Sequence, residues 1–286
     1  MIRPEILAPA GDPEKLRFAV DYGADAVYLA GKAFGMRSAS GNFSREELAQ
    51  AVRWCHERGV RVYVTVNTLP RDPELAQLPD YLAFLDACGA DAIILADLGV
   101  LRLAKQYAPR CRIHISTQTS IVNSEAACMW HELGASRIVL ARELTLEEIR
   151  HIRAHTPPEL ELEAFVHGAM CMAYSGRCML SNYLASRDAN RGACAQPCRW
   201  SYRVVEEYRP GEYMPVEEDS AGTYIFNSKD MNLLPYLDRL AQAGIGSFKI
   251  EGRVKTAYYA AVVTGAYRRA AELYAKDPEH YAPPQS

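Results

Sequence analysis

The chain has 286 residues, 49% of them hydrophobic, which is enough for one sizeable core, and its formal net charge is -3. That charge excludes a global basic field of the kind that marks many nucleic-acid binders, so any such contact must come from a local patch. No apolar run approaches the roughly 20 residues that cross a bilayer, and residues 1–11 lack the charged-then-apolar leader of a secreted chain; a soluble protein of the reducing cytoplasm, with no membrane partner, is expected.

From the N-terminus, short β-branched runs alternate with amphipathic helical ones. Strands are expected over Glu5–Ala10, Ala26–Ala30, Arg61–Thr68, Ala92–Asp97, Arg112–Gln118, Arg137–Arg142, Glu161–His167 and Ser247–Glu251. Asp12-Pro13 opens the first helix with proline in its first turn, and Ser44-Arg-Glu-Glu47 and Thr145-Leu-Glu-Glu148 have the spacing of capping boxes. A weak repeat, Gly23-Ala-Asp-Ala-Val27, Gly89-Ala-Asp-Ala-Ile93 and Gly134-Ala-Ser-Arg-Ile138, closes a helix with a left-handed glycine and starts a strand each time. Eight βα units in series predict an α/β chain, a single (β/α)8 TIM-type barrel domain over residues 1–286. An open doubly wound sheet is the alternative. One connection breaks the rhythm: a cysteine-rich, cluster-bearing insertion over 168–243 separates the seventh strand from the last βα unit. Asn227-Ser-Lys-Asp230 is expected to open a helix running through Leu240, and Thr256–Tyr274 to form the closing helix.

In such barrels the active site lies at the C-terminal ends of the strands, and alternation turns one parity inward. Ile113 and Ile115 share one face of the fifth strand, leaving His114, Ser116 and Gln118 inside. On the seventh, Glu163 and His167 oppose Leu162, Ala164 and Val166. On the last, Lys249 and Glu251 face inward. Asn67 ends the third strand, Asp97 the fourth and Arg142-Glu143 the sixth. A layer of internal salt bridges would explain any one of these. Several converging at strand ends point to a pocket that binds anions or handles protons, because charged groups are rarely buried without a partner or a function.

Eight cysteines need an account. Cys55, Cys88, Cys111 and Cys128 are scattered through apolar segments, as small buried hydrophobes are, and a disulfide framework belongs to small secreted chains. The others form Cys171-x6-Cys178-x15-Cys194-x3-Cys198. Structural zinc favours pairs two to four residues apart, which suits the last pair; iron–sulfur clusters take four thiolates at varied spacing. The spacing favours the cluster and leaves zinc or unliganded thiols open. Cys171 lies four residues after His167, so a Cys171–His167 nucleophile pair competes, but it leaves three cysteines unexplained. Arg177, Arg187, Arg191 and Arg199 interleave with Tyr174, Tyr183, Trp200 and Tyr202. That pattern suits phosphate contacts and base stacking, although a solvated surface over core aromatics is its commoner origin.

The run Glu163-Ala-Phe-Val-His-Gly-Ala-Met-Cys171, continuing through Met-Ala-Tyr-Ser-Gly-Arg-Cys178 and Met-Leu-Ser181, resembles the signature of the collagenase-like peptidase family U-32. Glu5-Ile-Leu-Ala-Pro-Ala-Gly11, Ser116-Thr-Gln118, Arg142-Glu143 and Phe248-Lys-Ile-Glu-Gly-Arg253 are similar to that family too, so the resemblance covers nearly the whole chain. It implies oxygen-independent hydroxylation with a [4Fe-4S] cluster more than it implies proteolysis. Members act on transfer-RNA wobble uridine, giving 5-hydroxyuridine, on ribosomal RNA, or on ubiquinone precursors, and prephenate is the hydroxyl source in some. Asn190-Arg-Gly-Ala-Cys194 through Ala-Gln-Pro-Cys198-Arg-Trp200 is most similar to the transfer-RNA branch. The resemblance implies Cys171, Cys178, Cys194 and Cys198 as cluster ligands. Asn67, Gln118, Arg142, Tyr174, Arg177, Lys249 and Arg253 are the expected binders of substrate or of a small anionic cosubstrate such as prephenate, whose carboxylates suit arginine. His114, Glu143, Glu163, His167 and Glu251 are then the candidate proton carriers. Transfer RNA is the expected partner. Because transfer-RNA members carry a further β-rich domain, a homologous or cluster-delivering protein is a second. The alternative function is a hydrolase cutting collagen-like chains.

Overall fold

The computed structural model describes residues 3–36, 41–169, 173, 175, 178–200, 217–219, 222–224 and 230–282. In chain order its elements are β1 (Glu5–Pro9), α1 (Pro13–Asp21), β2 (Ala26–Leu29), α2 (Arg45–His56), β3 (Arg61–Val66), α3 (Asp72–Leu75), α4 (Leu78–Cys88), β4 (Ala92–Leu95), α5 (Leu98–Tyr107), β5 (Arg112–Ile115), α6 (Ser124–Glu132), β6 (Arg137–Val139), α7 (Leu146–Ala154), β7 (Glu161–Gly168), α8 (Leu180–Ala185), β8 (Glu217–Asp219), β9 (Gly222–Tyr224), β10 (Met231–Asn232), α9 (Leu237–Gln242), β11 (Ser247–Ile250) and α10 (Ala257–Lys276). Strands β1 to β7 and β11 pair in parallel in the order β7-β11-β1-β2-β3-β4-β5-β6, and β6 pairs back to β7. The ring is closed. That closure is the (β/α)8 barrel expected from the repeat and rules out the open sheet.

The helices start where their caps dictate. Asp12 accepts from the Lys15 N–H with Pro13 in the first turn. Ser44 and Thr145 each form the reciprocal capping box with Glu47 and Glu148, satisfying backbone donors that the first turn leaves open. Alternation along each strand then divides the interior in two. Outward residues such as Ile113, Ile115, Leu162, Val166, Phe248 and Ile250 join the helices in one continuous apolar layer. Inside the ring, Leu7, Ala26, Tyr28, Tyr63, Ala92 and Ile94 form a second, smaller cluster.

Below the mouth the ring is filled by ion pairs. The Arg137 guanidinium reaches Glu5 at 2.7 Å and Glu163 at 3.0 Å, and Lys249 reaches Glu163 at 2.8 Å. The internal salt-bridge layer weighed from the sequence is therefore real, and Glu163 is its centre. Burial alone would raise the Glu163 carboxyl, but Lys249 and Arg137 outweigh it and hold it below the ordinary carboxylate range.

The structure corrects the reading after strand seven. No helix runs from Asp230. Met231–Asn232 is instead a short strand antiparallel to the Gly168 and His167 end of β7, then a 3-10 turn at Leu234–Tyr236 carries Pro235, and α9 begins only at Leu237. The protruding end of β7 offers backbone groups that a partner strand satisfies and a helix would not. Residues 227–229 lie outside the described residues. Several strands are also shorter than expected: β5 ends at Ile115 and turns at Thr117–Thr119, and Asp97 is the N-cap of α5, accepting from Val100 N–H. Among the described residues no helix is long and apolar enough to cross a membrane.

Candidate active site

A cavity of about 380 Å³ opens at the C-terminal mouth of the barrel, within the range of small-ligand sites. Its walls are largely apolar, built by Tyr28, Ile94, Phe165 and Leu180. Its polar lining comprises Asn67, Ser116 and Gln118, the charged Arg142, Lys249, Glu251 and Arg253, and the cysteines Cys178, Cys194 and Cys198.

The cations are each held in place by specific neighbours. Lys249 is buried, hydrogen-bonded to Glu163, with its ammonium 4.6 Å from the Tyr28 ring centre and 5.4 Å from that of Phe165. Burial pulls its pKa below the ordinary lysine range, against the opposing pull of Glu163. Arg142 lies 4.0 Å over the Phe165 ring and donates to the Ala169 carbonyl at 3.1 Å, while its buried Nε has no hydrogen-bond partner among the described residues. By strand parity Arg142 belongs with Ile138 and Leu140, but β6 ends at Val139, so alternation no longer directs it. Arg253 donates to the Thr65 hydroxyl at 3.3 Å. Its backbone is set by Gly11, where a Cβ would lie 1.9 Å from the Arg253 carbonyl oxygen. This close approach requires a residue without a side chain.

The cysteine segment docks on the rim through its backbone. Glu143 accepts from the Ser175 N–H at 2.8 Å and from its hydroxyl, and the Ser120 hydroxyl donates to the Ser175 carbonyl. Asn190 donates to the Cys178 carbonyl at 3.0 Å, and the Gln196 N–H points at the Cys194 sulfur at 3.4 Å. Gly192, with φ +89°, lets the loop approach Gly35, whose carbonyl would sit 3.0 Å from a Cβ there. Among the described residues no cysteine is in a disulfide, and no group of three or more His, Cys, Asp or Glu is gathered tightly enough to hold a metal ion. The scattered cysteines differ in kind. Burial pushes the Cys55 and Cys111 thiols up to about 12 and raises Cys88, so these stay protonated and poor as ligands.

Of the residues singled out from sequence, Asn67, Gln118, Arg142, Lys249, Glu251, Arg253, Cys178, Cys194 and Cys198 meet in the cavity. Cys171, Tyr174 and Arg177 lie outside the described residues. Four of the five expected proton carriers do not line the cavity, and one of them, Glu163, is instead the centre of the ion-pair layer below it. His114 is buried lower in the barrel, edge-on to Tyr63 at 4.7 Å, and burial, followed by Arg137, holds it well below the ordinary histidine range. Glu143 anchors Ser175. His167 lies against Tyr259 and Tyr267 of α10, because the register between β7 and β11 shifts after Lys249: Phe165 pairs with Lys249, but His167 pairs with the outward-facing Ile250. A bulge of this kind turns a side chain to the other face. Phe165, Tyr28 and Thr65 were missed. Phe165 carries a readable signal, since it lies between Glu163 and His167 on the inward parity. Of the basic residues in the cysteine segment, Arg191 pairs with Glu74 at 2.7 Å and Arg187 bonds the Ala193 carbonyl, leaving Tyr183 prominently exposed.

The family model for peptidase family U32 matches residues 11–285. The chain belongs to this family. It is 41% identical to tRNA hydroxylation protein P1 of Bacillus subtilis over 98% of this chain and 65% of that protein. It is 38% identical to tRNA hydroxylation protein P of Escherichia coli over 94% of this chain and 68% of that protein. The chain thus spans about two thirds of the length of these curated relatives. A solved U32 peptidase matches with a TM-score of 0.56 at 16% identity, covering 87% of this chain and 93% of that one, which supports the barrel fold.

Proposed function

We propose that the cavity is the active site of an RNA hydroxylase that carries a [4Fe-4S] cluster, acts without oxygen, and converts a transfer-RNA wobble uridine to 5-hydroxyuridine. The observation that carries this reading is the meeting of Cys178, Cys194 and Cys198 with Arg142, Lys249 and Arg253 in one apolar-walled cavity. The names of the relatives point the same way. The donor chemistry suits a cluster: three cysteines line the cavity, one of them already accepting a backbone N–H, a contact that tunes thiolate-bound iron. Cys171, Cys178, Cys194 and Cys198 would hold it, and when bound it supplies one-electron chemistry.

Exchanging C–H for C–OH on the base removes two electrons, so the hydroxyl donor must be reduced by two. A small prephenate-like anion serves as that donor, its carboxylates taken by Arg142, Lys249 and Arg253 in a site where apolar walls strengthen each charge-assisted bond. Glu251 is the carboxylate on the cavity wall placed to accept the proton that leaves the base. The reaction belongs to the cytoplasm, where transfer RNA is, with a second protein delivering the cluster. For proteolysis, a thiol nucleophile needs an oriented histidine, and His167 is turned away from the cavity toward α10. Mass spectrometry of transfer-RNA nucleosides from cells with and without the gene tests the reading. Loss of 5-hydroxyuridine and its derivatives supports it; an unchanged nucleoside profile refutes it.

A further inference from the structure

The cavity also carries a chain of amides whose direction is fixed from the backbone outward. The Met36 N–H donates to Asn67 Oδ1 at 3.3 Å, so the other end of that side chain is its NH2 group. Asn67 Nδ2 then donates to Gln118 Oε1 at 2.6 Å and to the Ser116 hydroxyl at 3.3 Å. The Ser116 hydroxyl lies 3.3 Å from the same Gln118 oxygen. The oxygen of Gln118 is therefore engaged from the protein side, and its NH2 group, which no described residue takes, is left for whatever fills the cavity. Amide orientation follows from such networks, and this one starts from a backbone N–H, which cannot reverse.

We infer that Gln118, oriented by Asn67, selects uracil over cytosine by offering only donors to the base edge. This rests on the RNA reading above and names the residues that set its base preference. Uracil presents a carbonyl oxygen at C4 that accepts from Gln118. Cytosine presents an amino group there, and two donors face each other with one left unpaired in an apolar site. Ile94 and Phe165, which line the same cavity, supply the apolar surfaces a planar ring needs.

The test uses two short RNA strands identical except for uridine or cytidine at one position, competing for the protein in a fluorescence-anisotropy titration. The wild-type chain should favour the uridine strand by about tenfold, the size of one mismatched hydrogen bond of about 1.4 kcal/mol. Gln118→Glu replaces the donor with an acceptor and should reverse the preference. Asn67→Asp is the sharper variant. A carboxylate cannot donate to Gln118, so the glutamine turns to donate to it and presents its own oxygen to the cavity. Asn67→Asp should therefore also shift preference toward cytidine, whereas a merely structural defect would weaken both strands alike and leave their ratio unmoved. Equal binding of both strands by the wild type, or a ratio unchanged in both variants, overturns this inference and leaves the RNA reading standing. Failure of the wild type to bind either strand overturns both.

Discussion

Glu163 is the residue on which the barrel interior turns, and Glu163→Gln isolates its charge. The side chain is fully buried, 2.8 Å from the Lys249 ammonium, 3.0 Å from the Arg137 guanidinium and 3.2 Å from the Ser247 hydroxyl. Glutamine keeps the shape and removes the charge. Arg137 still has Glu5 and Glu161, but Lys249, only 5% exposed at its side chain, loses the carboxylate that balances it. A pair at that separation attracts by about 6 kcal/mol at an effective dielectric of about 20. Breaking one partner of a buried pair costs about 3–5 kcal/mol in practice, a large share of the roughly 5–15 kcal/mol that holds a domain together. Urea denaturation should show that loss in Glu163→Gln. Lys249→Met places an apolar chain against Tyr28 and Phe165, and the double variant Glu163→Gln/Lys249→Met should recover about half or more of the loss, because no unpaired charge remains. A single variant within about 1 kcal/mol of wild type, or a double variant that is simply additive, would refute the argument that this pair is a coupled, buried unit.

His114 is held below the ordinary histidine range by burial first and by Arg137 next. Its contribution to stability is therefore complete above about pH 6.5 and is lost as pH falls. Urea midpoints should decline from pH 7.5 toward 5.5 with a slope of up to about 1.4 kcal/mol per pH unit for this group, and His114→Leu should flatten the decline; parallel curves would reject the assignment. Cys194→Ser should bleach the visible absorbance of anaerobically purified protein, since oxygen is a poor substitute for thiolate on iron, while Cys55→Ser, whose thiol is buried with a pKa of about 12, should keep it; equal bleaching would mean the iron is adventitious. Gly11→Ala drives a methyl group to within 1.9 Å of the Arg253 carbonyl, so it should cost about 1–3 kcal/mol and lower hydroxylation more than its stability loss explains; unchanged activity would show that the placement of Arg253 is unimportant.

Much of this architecture was legible in the chain, for reasons that are local. Caps at Asp12, Ser44 and Thr145 act within one helical turn, and the parity of Ile113 and Ile115 or Phe248 and Ile250 is a property of a single strand. Lys249 lines the cavity by the same alternation, and Asn67 and Gln118 line it from just beyond the ends of β3 and β5. What escaped depends on pairing between distant segments. The bulge opposite Lys249 that turns His167 outward exists only in the register of β7 against β11. The use of Glu143 as an anchor depends on where Ser175 falls in space. Met231–Asn232 became a strand because β7 offered an edge, which no window around Met231 reveals. Arg142 reached the cavity by leaving its strand, so parity argued against a residue that spacing had suggested.

The proposed activity of the cationic, cysteine-lined cavity is RNA hydroxylation. It is tested most directly by nucleoside mass spectrometry of transfer RNA from a deletion strain complemented with the wild-type gene or with Arg142→Ala. The guanidinium of Arg142 stacks on Phe165, and its Nε has no partner among the described residues, so its loss should empty the anion site while leaving the fold and the cysteines in place. 5-Hydroxyuridine and its derivatives should disappear on deletion, return with the wild-type gene, and stay absent with Arg142→Ala produced at the same level and with the same colour. Full restoration by Arg142→Ala, or a deletion strain whose transfer RNA is unchanged, would contradict the proposed activity.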